Sequence, residues 1–159
     1  MTARIADISS TFVYRRAFST YGLLAIIFPT RGATQTMDPS VMMQTVIQLA
    51  RRAWLQGDGQ AFATLFGPTG EFIVPGQCWQ GPEAILQACQ TFMATHQVTA
   101  IDIRNVVIQE NRAMVEWSWQ EVERSSGQVS TAEDAIAIDI QGTHIQRWRE
   151  YIDTDTKSP

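Results

Sequence analysis

The chain has 159 residues, 45% of them hydrophobic and 18% charged, which excludes a disordered polymer and fits one ordinary domain with a modest extension. Its net charge is −4 at pH 7 and no basic run or stripe offsets it, so nothing favours a nucleic-acid partner. Two cysteines without metal-ligand spacing give no disulfide framework, and Cys78 and Cys89 read as buried free thiols.

Residues 1–36 differ in composition from the rest of the chain. Tyr14-Arg15-Arg16-Ala17-Phe18 precedes an apolar stretch from Tyr21 to Phe28 and then Pro29-Thr30-Arg31-Gly32-Ala33. A basic pair, a short apolar run and small residues have the order of an export signal, and Arg15-Arg16-Ala17-Phe18 resembles a twin-arginine motif. Against this, the run is short and Arg31 stands where small residues are wanted. The readings left open are a signal, a start at Met37 and a loosely docked arm. A cytoplasmic location is carried forward, with export as the alternative. The run is too short for a membrane span. The folded domain is placed at 37–155, with 156–159 as a tail.

From Asp38 the signals become regular. Asp38-Pro39 is a helix start, with a carboxylate cap and proline at the first position. Met42, Val46, Leu49, Ala50 and Ala53 recur at helical spacing and Gly57 closes the segment. Asp58 caps a second short helix with Phe62, Leu65 and Phe66 on one face, ended by Gly67-Pro68. Residues 71–74 read as a short strand stopped by Pro75-Gly76. Gly81-Pro82-Glu83 opens a third helix, with Ile85, Cys89, Phe92 and Met93 on its apolar side.

After His96 the period changes from about 3.6 to two. Strands are expected at 98–108, 113–124, 129–140 and 144–152, with short turns at Glu110-Asn111, Ser125-Ser126-Gly127 and Gln141-Gly142. Long strands joined by tight turns pair antiparallel. Three helices and then a four-stranded meander give an α+β fold, a curved antiparallel sheet wrapped around helices.

Local motifs carry a family resemblance over residues 40–155. Leu55-Gln56-Gly57-Asp58, Leu65-Phe66 and Trp79-Gln80-Gly81-Pro82-Glu83-Ala84-Ile85 resemble the front half of SnoaL-like proteins. Ile145-Gln146-Arg147-Trp148-Arg149-Glu150-Tyr151-Ile152-Asp153 is similar to their closing strand and to that of limonene epoxide hydrolase. The resemblance implies the cone-shaped fold of the nuclear transport factor 2-like, ketosteroid isomerase-like superfamily, and a homodimer. That superfamily hosts isomerases, epoxide hydrolases, cyclases, dehydratases and binding domains, so the fold alone names no reaction.

Residue by residue, two of the family's chemistries fail to carry over. The isomerase's general-base aspartate aligns with Val74, its oxyanion-hole tyrosine with Ala50 and its second aspartate near Ile136. Of the epoxide hydrolase's aspartate–arginine–aspartate set, only Glu150 keeps a carboxylate; Trp117 and Trp119 stand at the other two positions.

What remains is an apolar cavity with acids. Alternation puts Val115, Trp117 and Trp119 on one face, and the resemblance turns that face inward. An aromatic wall for a flat or greasy ligand is expected there, with Phe72, Val74 and Trp79 adding to it; the alternative is simple core filling. Trp148, Glu150 and Ile152 share a face, as do Asp134, Ile136 and Ile138. A carboxylate between large apolar residues is costly to ionise, so Glu150 and Asp134 are the candidate proton-handling groups. The alternatives are a structural ion pair or hydrogen bond of Glu150 with a neighbour such as Arg104 or Arg124, and a solvent-facing Asp134. His96 and His144 read as surface residues. No metal, nucleotide or other cofactor is expected. The partner is a small hydrophobic molecule, met either by a cyclase-, isomerase- or dehydratase-like enzyme or by a non-catalytic binding or protein-interaction module.

Overall fold

The computed structural model describes residues 38–153. The readings made on residues 1–36 and on the 156–159 tail lie outside the described residues.

Helix α1, Pro39–Gln56, begins as the cap chemistry requires: the Asp38 carboxylate accepts the Ser40 N–H at 2.9 Å. It ends at Gly57, whose φ of 65° is left-handed and whose N–H turns back to the carbonyls of Ala53 and Trp54. Its buried stripe is Met43, Val46, Ile47, Ala50, Ala53 and Trp54. Of the expected stripe, Val46, Ala50 and Ala53 are buried and Met42 packs against the core, while Leu49 is 40% exposed. Positions 43, 47, 50 and 54 centre the buried face, and residue 49 falls just beyond its edge. Helix α2, Gly59–Ala63, is capped by Asp58, which accepts the Ala61 N–H at 2.8 Å.

The chain extends sooner than expected. Strand β1 runs Phe66–Val74, so Gly67 and Pro68 belong to a strand rather than to a helix end. Proline is tolerated because the register of β1 slips between Phe66 and Glu71, leaving Pro68 and Thr69 exposed and outside the regular ladder. Strand β2, Gln77–Gln80, folds back on β1 as a hairpin. Helix α3, Pro82–Thr95, then covers this edge with Ile85 and Cys89 buried.

Strands β3 (His96–Gln109), β4 (Arg112–Glu123), β5 (Val129–Gln141) and β6 (His144–Asp153) form the expected antiparallel meander. The six-stranded sheet has the order β2-β1-β6-β5-β4-β3, and β1 lies parallel to β6. This junction is tight. A β-carbon on Gly70 would stand 2.6 Å from the Ile145 carbonyl oxygen, so only glycine lets the two strands approach.

The core lies between α1 and the inner face of the curved sheet, with Val115, Trp117, Ile136, Ile145 and Trp148 fully buried. On the sheet's other side Asp139 pairs with Arg112 and Arg147, each at 3.0 Å. No described helix is long and apolar enough to cross a membrane.

Candidate functional site

Between α1, α3 and the inner face of the sheet lies a cavity of about 350 Å³. Its wall is built from Trp54 of α1, Phe72 and Val74 of β1, Trp79 of β2, Phe92 of α3 and Trp119 of β4. Glu121, Asp134 and Glu150 interrupt that apolar surface.

The rings support one another. Trp54 meets Trp119 edge-on at 5.4 Å and Phe92 at 5.7 Å, and Trp79 stacks on Phe72 at 5.4 Å. Such geometries satisfy the ring quadrupoles and fix the side chains.

Strand register brings the acids together. Asp134 of β5 stands opposite Trp117 of β4 on one side and Ile152 of β6 on the other, while Glu150 stands opposite Ile136. Asp134 and Glu150 are therefore diagonal neighbours on one face of a strand pair, close enough to feel each other's charge. Each accepts one indole N–H: Trp117 Nε1 donates to Asp134 Oδ2 at 2.9 Å and Trp148 Nε1 to Glu150 Oε1 at 2.7 Å. A third pair repeats the pattern, Trp119 Nε1 donating to Glu121 Oε2 at 2.7 Å. Two of these pairs are two residues apart on one strand, where the period of two puts both side chains on the same face.

Burial dominates the titration of both central acids. It pushes Asp134 up to about 6, against the bond from Trp117 and with help from the charges of Glu133 and Glu121. It pushes Glu150 further, to about 8, against the bond from Trp148 and with help from Asp134. Near neutral pH the first is mostly ionised and the second mostly protonated. Asp134 Oδ1 is buried without a hydrogen-bond partner, as is the indole N–H of Trp54. Buried polar atoms are rarely left so, and both belong to residues of this wall.

Of the residues expected at the site, Trp119, Phe72, Val74, Trp79, Asp134 and Glu150 line the cavity. Trp117 and Trp148 do not. Both are fully buried, 5.6 Å apart, behind the acids they hydrogen-bond. Asp134 is only 6% exposed, not a solvent-facing strand end. Glu150 has the Trp148 indole as its hydrogen-bond partner rather than Arg104 or Arg124; Arg124 donates instead to the Met93 carbonyl. Cys89 is buried, but Cys78 is exposed, because β2 is short and lies at the sheet edge. His144 is exposed and His96 half-buried, its ring stacked on Phe92 at 5.0 Å.

Several wall residues went unread in the sequence as site residues, among them Trp54, Phe92 and Glu121. Glu121 continues the 115-117-119 alternation, and Trp54 continues the 43-47-50 stripe of α1, so the signal was present in both.

The chain belongs to the SnoaL-like domain family, whose model matches residues 46–150. No curated protein sequence matches it significantly. Many solved structures share its fold. A hypothetical protein with ketosteroid isomerase-like fold from Catenulispora acidiphila DSM 44928, in complex with trimethylamine, is 17% identical with a TM-score of 0.62, over 67% of this chain and 83% of that one. A nuclear transport factor 2-like protein from Anabaena variabilis ATCC 29413 is 18% identical with a TM-score of 0.64, over 79% and 98%. A LEH-like epoxide hydrolase from M. tuberculosis is 10% identical with a TM-score of 0.63, over 71% and 84%. At these identities the likeness is one of fold.

Proposed function

We propose that this SnoaL-like domain binds a small hydrophobic molecule in its aromatic-walled cavity and performs cofactor-independent acid/base chemistry of the cyclase, isomerase or dehydratase type. One observation carries the reading: two carboxyl groups on adjacent strands border the same cavity with proton affinities set apart, near 6 and near 8. Titratable pairs driven apart by their surroundings divide naturally into base and acid. Asp134, ionised at neutral pH and bordering the cavity, is the base that takes a proton from carbon. Glu150 holds a proton at the same pH and gives it to the substrate oxygen on which charge collects. Trp117 and Trp148 position the two acids through their indole N–H groups.

With this acid and base, each of the three reaction types would begin with loss of a proton beside a carbonyl. The test is therefore hydrogen–deuterium exchange at the α-carbon of a panel of hydrophobic cyclic ketones, monitored by NMR in D2O. The wild type accelerates exchange, while Asp134→Asn and Glu150→Gln, both folded by circular dichroism, do not. Full exchange activity in both variants would reject the assignment, and no exchange with any ketone by the wild type would leave a binding module in its place.

The domain is further proposed to pair with a second copy through the outer face of its sheet. Val107 and Met114, cross-strand partners, are 59% and 45% exposed there. Sedimentation at micromolar concentration decides; a monomer rejects it.

A further inference from the structure

The charges around the cavity are one-sided. Glu121, Asp134 and Glu150 all reach its surface, and among the described residues its lining contains no lysine, arginine or histidine. The side-chain hydrogen bonds these carboxyl groups accept come from indole N–H groups, neutral donors that ease a negative charge without cancelling it. The nearest charges acting on Asp134 and Glu150 are other carboxylates. Asp134 is 6% exposed and keeps one oxygen with no partner.

Around these acids stand the rings of Trp54, Phe72, Trp79, Phe92 and Trp119. The face of an aromatic ring carries partial negative charge and attracts a cation, tryptophan most strongly. Rings and carboxylates thus favour the same charge on a ligand. An anionic ligand would meet three acids and no counter-charge. A bare metal ion is disfavoured too, since no group of acids, histidines or cysteines among the described residues is arranged to hold one. What complements both halves of the wall is a positive charge spread over an apolar body.

We propose that the cavity is a receptor for an organic ammonium, a tertiary or quaternary amine on a hydrophobic frame, its charged nitrogen lodged between the aromatic rings and the carboxylates of Glu121 and Asp134, with the carboxyl group of Glu150 beside them. This rests on the reading of the cavity as a ligand site and narrows the chemistry of the ligand. A cavity of about 350 Å³ suits a molecule of this kind with one ring or a short chain beside the nitrogen. The carboxylate of Asp134, one of its oxygens without a hydrogen-bond partner, supplies the negative pole, and desolvation strengthens its attraction for the cation.

The experiment uses two probes of one shape. Benzyltrimethylammonium carries a fixed positive charge, and neopentylbenzene replaces its nitrogen by carbon. Binding to the full chain is measured by quenching of tryptophan emission at pH 8 and by calorimetry. The cation should bind at least about tenfold tighter than the neutral probe, the size expected when a cation–π contact and a carboxylate act together in a partly desolvated site. In the folded double variant Asp134→Asn, Glu150→Gln that advantage should shrink several-fold while the neutral probe binds as before. Equal binding of the two probes by the wild type overturns the ammonium proposal and leaves the hydrophobic cavity standing. An advantage undiminished in the double variant overturns it as well, because the charge would then be read elsewhere. If neither probe binds at millimolar concentration, the ammonium proposal and the ligand-site reading fall together.

Discussion

Replacing Glu150 by glutamine should make the protein more stable at alkaline pH and leave it nearly unchanged in acid. Burial raises the carboxyl from its ordinary 4.5 to about 8, so the folded state binds the Glu150 proton more tightly than the unfolded state does. Stability tied to this proton is therefore complete below pH 4.5 and is lost as pH rises through the folded value near 8. The full span of the shift corresponds to about 5 kcal/mol at 1.36 kcal/mol per pH unit. Asp134, raised from 3.8 to about 6, adds about 3 kcal/mol of the same sign between those values. Together these would cancel most of the 5–15 kcal/mol typical of a domain. Glu150 is half-buried, so its anion keeps some solvation, and the whole loss by pH 9 comes to about 4 kcal/mol, of which about 3 kcal/mol falls above pH 5. Glutamine keeps an oxygen for the Trp148 N–H and carries no proton to lose. Urea unfolding from pH 5 to pH 9 should show the variant gaining about 3 kcal/mol on the wild type across that range. In thermal melts the gap at pH 9 would be on the order of 10 °C for a domain of this size. Parallel stability curves for the two proteins would refute the reasoning, because they would mean that Glu150 ionises as freely in the fold as outside it.

Trp117→Phe removes the donor that opposes burial at Asp134, so the Asp134 value should climb above 6 in a carboxyl NMR titration and the fold should lose about 1–3 kcal/mol; an unmoved titration would contradict the bond. Gly70→Ala forces a methyl group against the Ile145 carbonyl and should cost about 1–3 kcal/mol in urea unfolding, with no loss expected only if β1 and β6 stand further apart. A thiol reagent should label Cys78 at once and Cys89 only on unfolding, since Cys89 is fully buried and its thiol is pushed up to about 12; simultaneous labelling would argue against the packing of α3.

Much of this architecture is legible in the residues because local signals and tertiary packing agree. The caps at Asp38 and Asp58, the left-handed Gly57 and the turns between the last four strands all act over a few residues. What escaped depends on distant parts of the chain. Nothing near Pro68 announces that β1 will lie against β6, a strand more than seventy residues further on, and the proline there reads locally as a stop. The site divides the same way. Alternation correctly groups Trp117 with Trp119 and Trp148 with Glu150, but a period of two gives the face and not the depth. Trp117 and Trp148 sit where the meander is roofed by the helices and become core; Trp119, two residues along, reaches the cavity. Leu49 shows a related limit, since an apolar residue adjacent to a buried stripe is indistinguishable from a member of it until the opposing sheet is in place.

The union of β1 with β6 has a consequence for the order in which this molecule can be made. The meander joins neighbours and can zip up as it is synthesised, whereas the hairpin of β1 and β2, translated long before, has no edge to join until the last strand has emerged. A nascent chain halted ahead of His144 would hold Phe66, Phe72 and Trp79 without their sheet, and loss of β6 would undo the beginning of the domain along with its end.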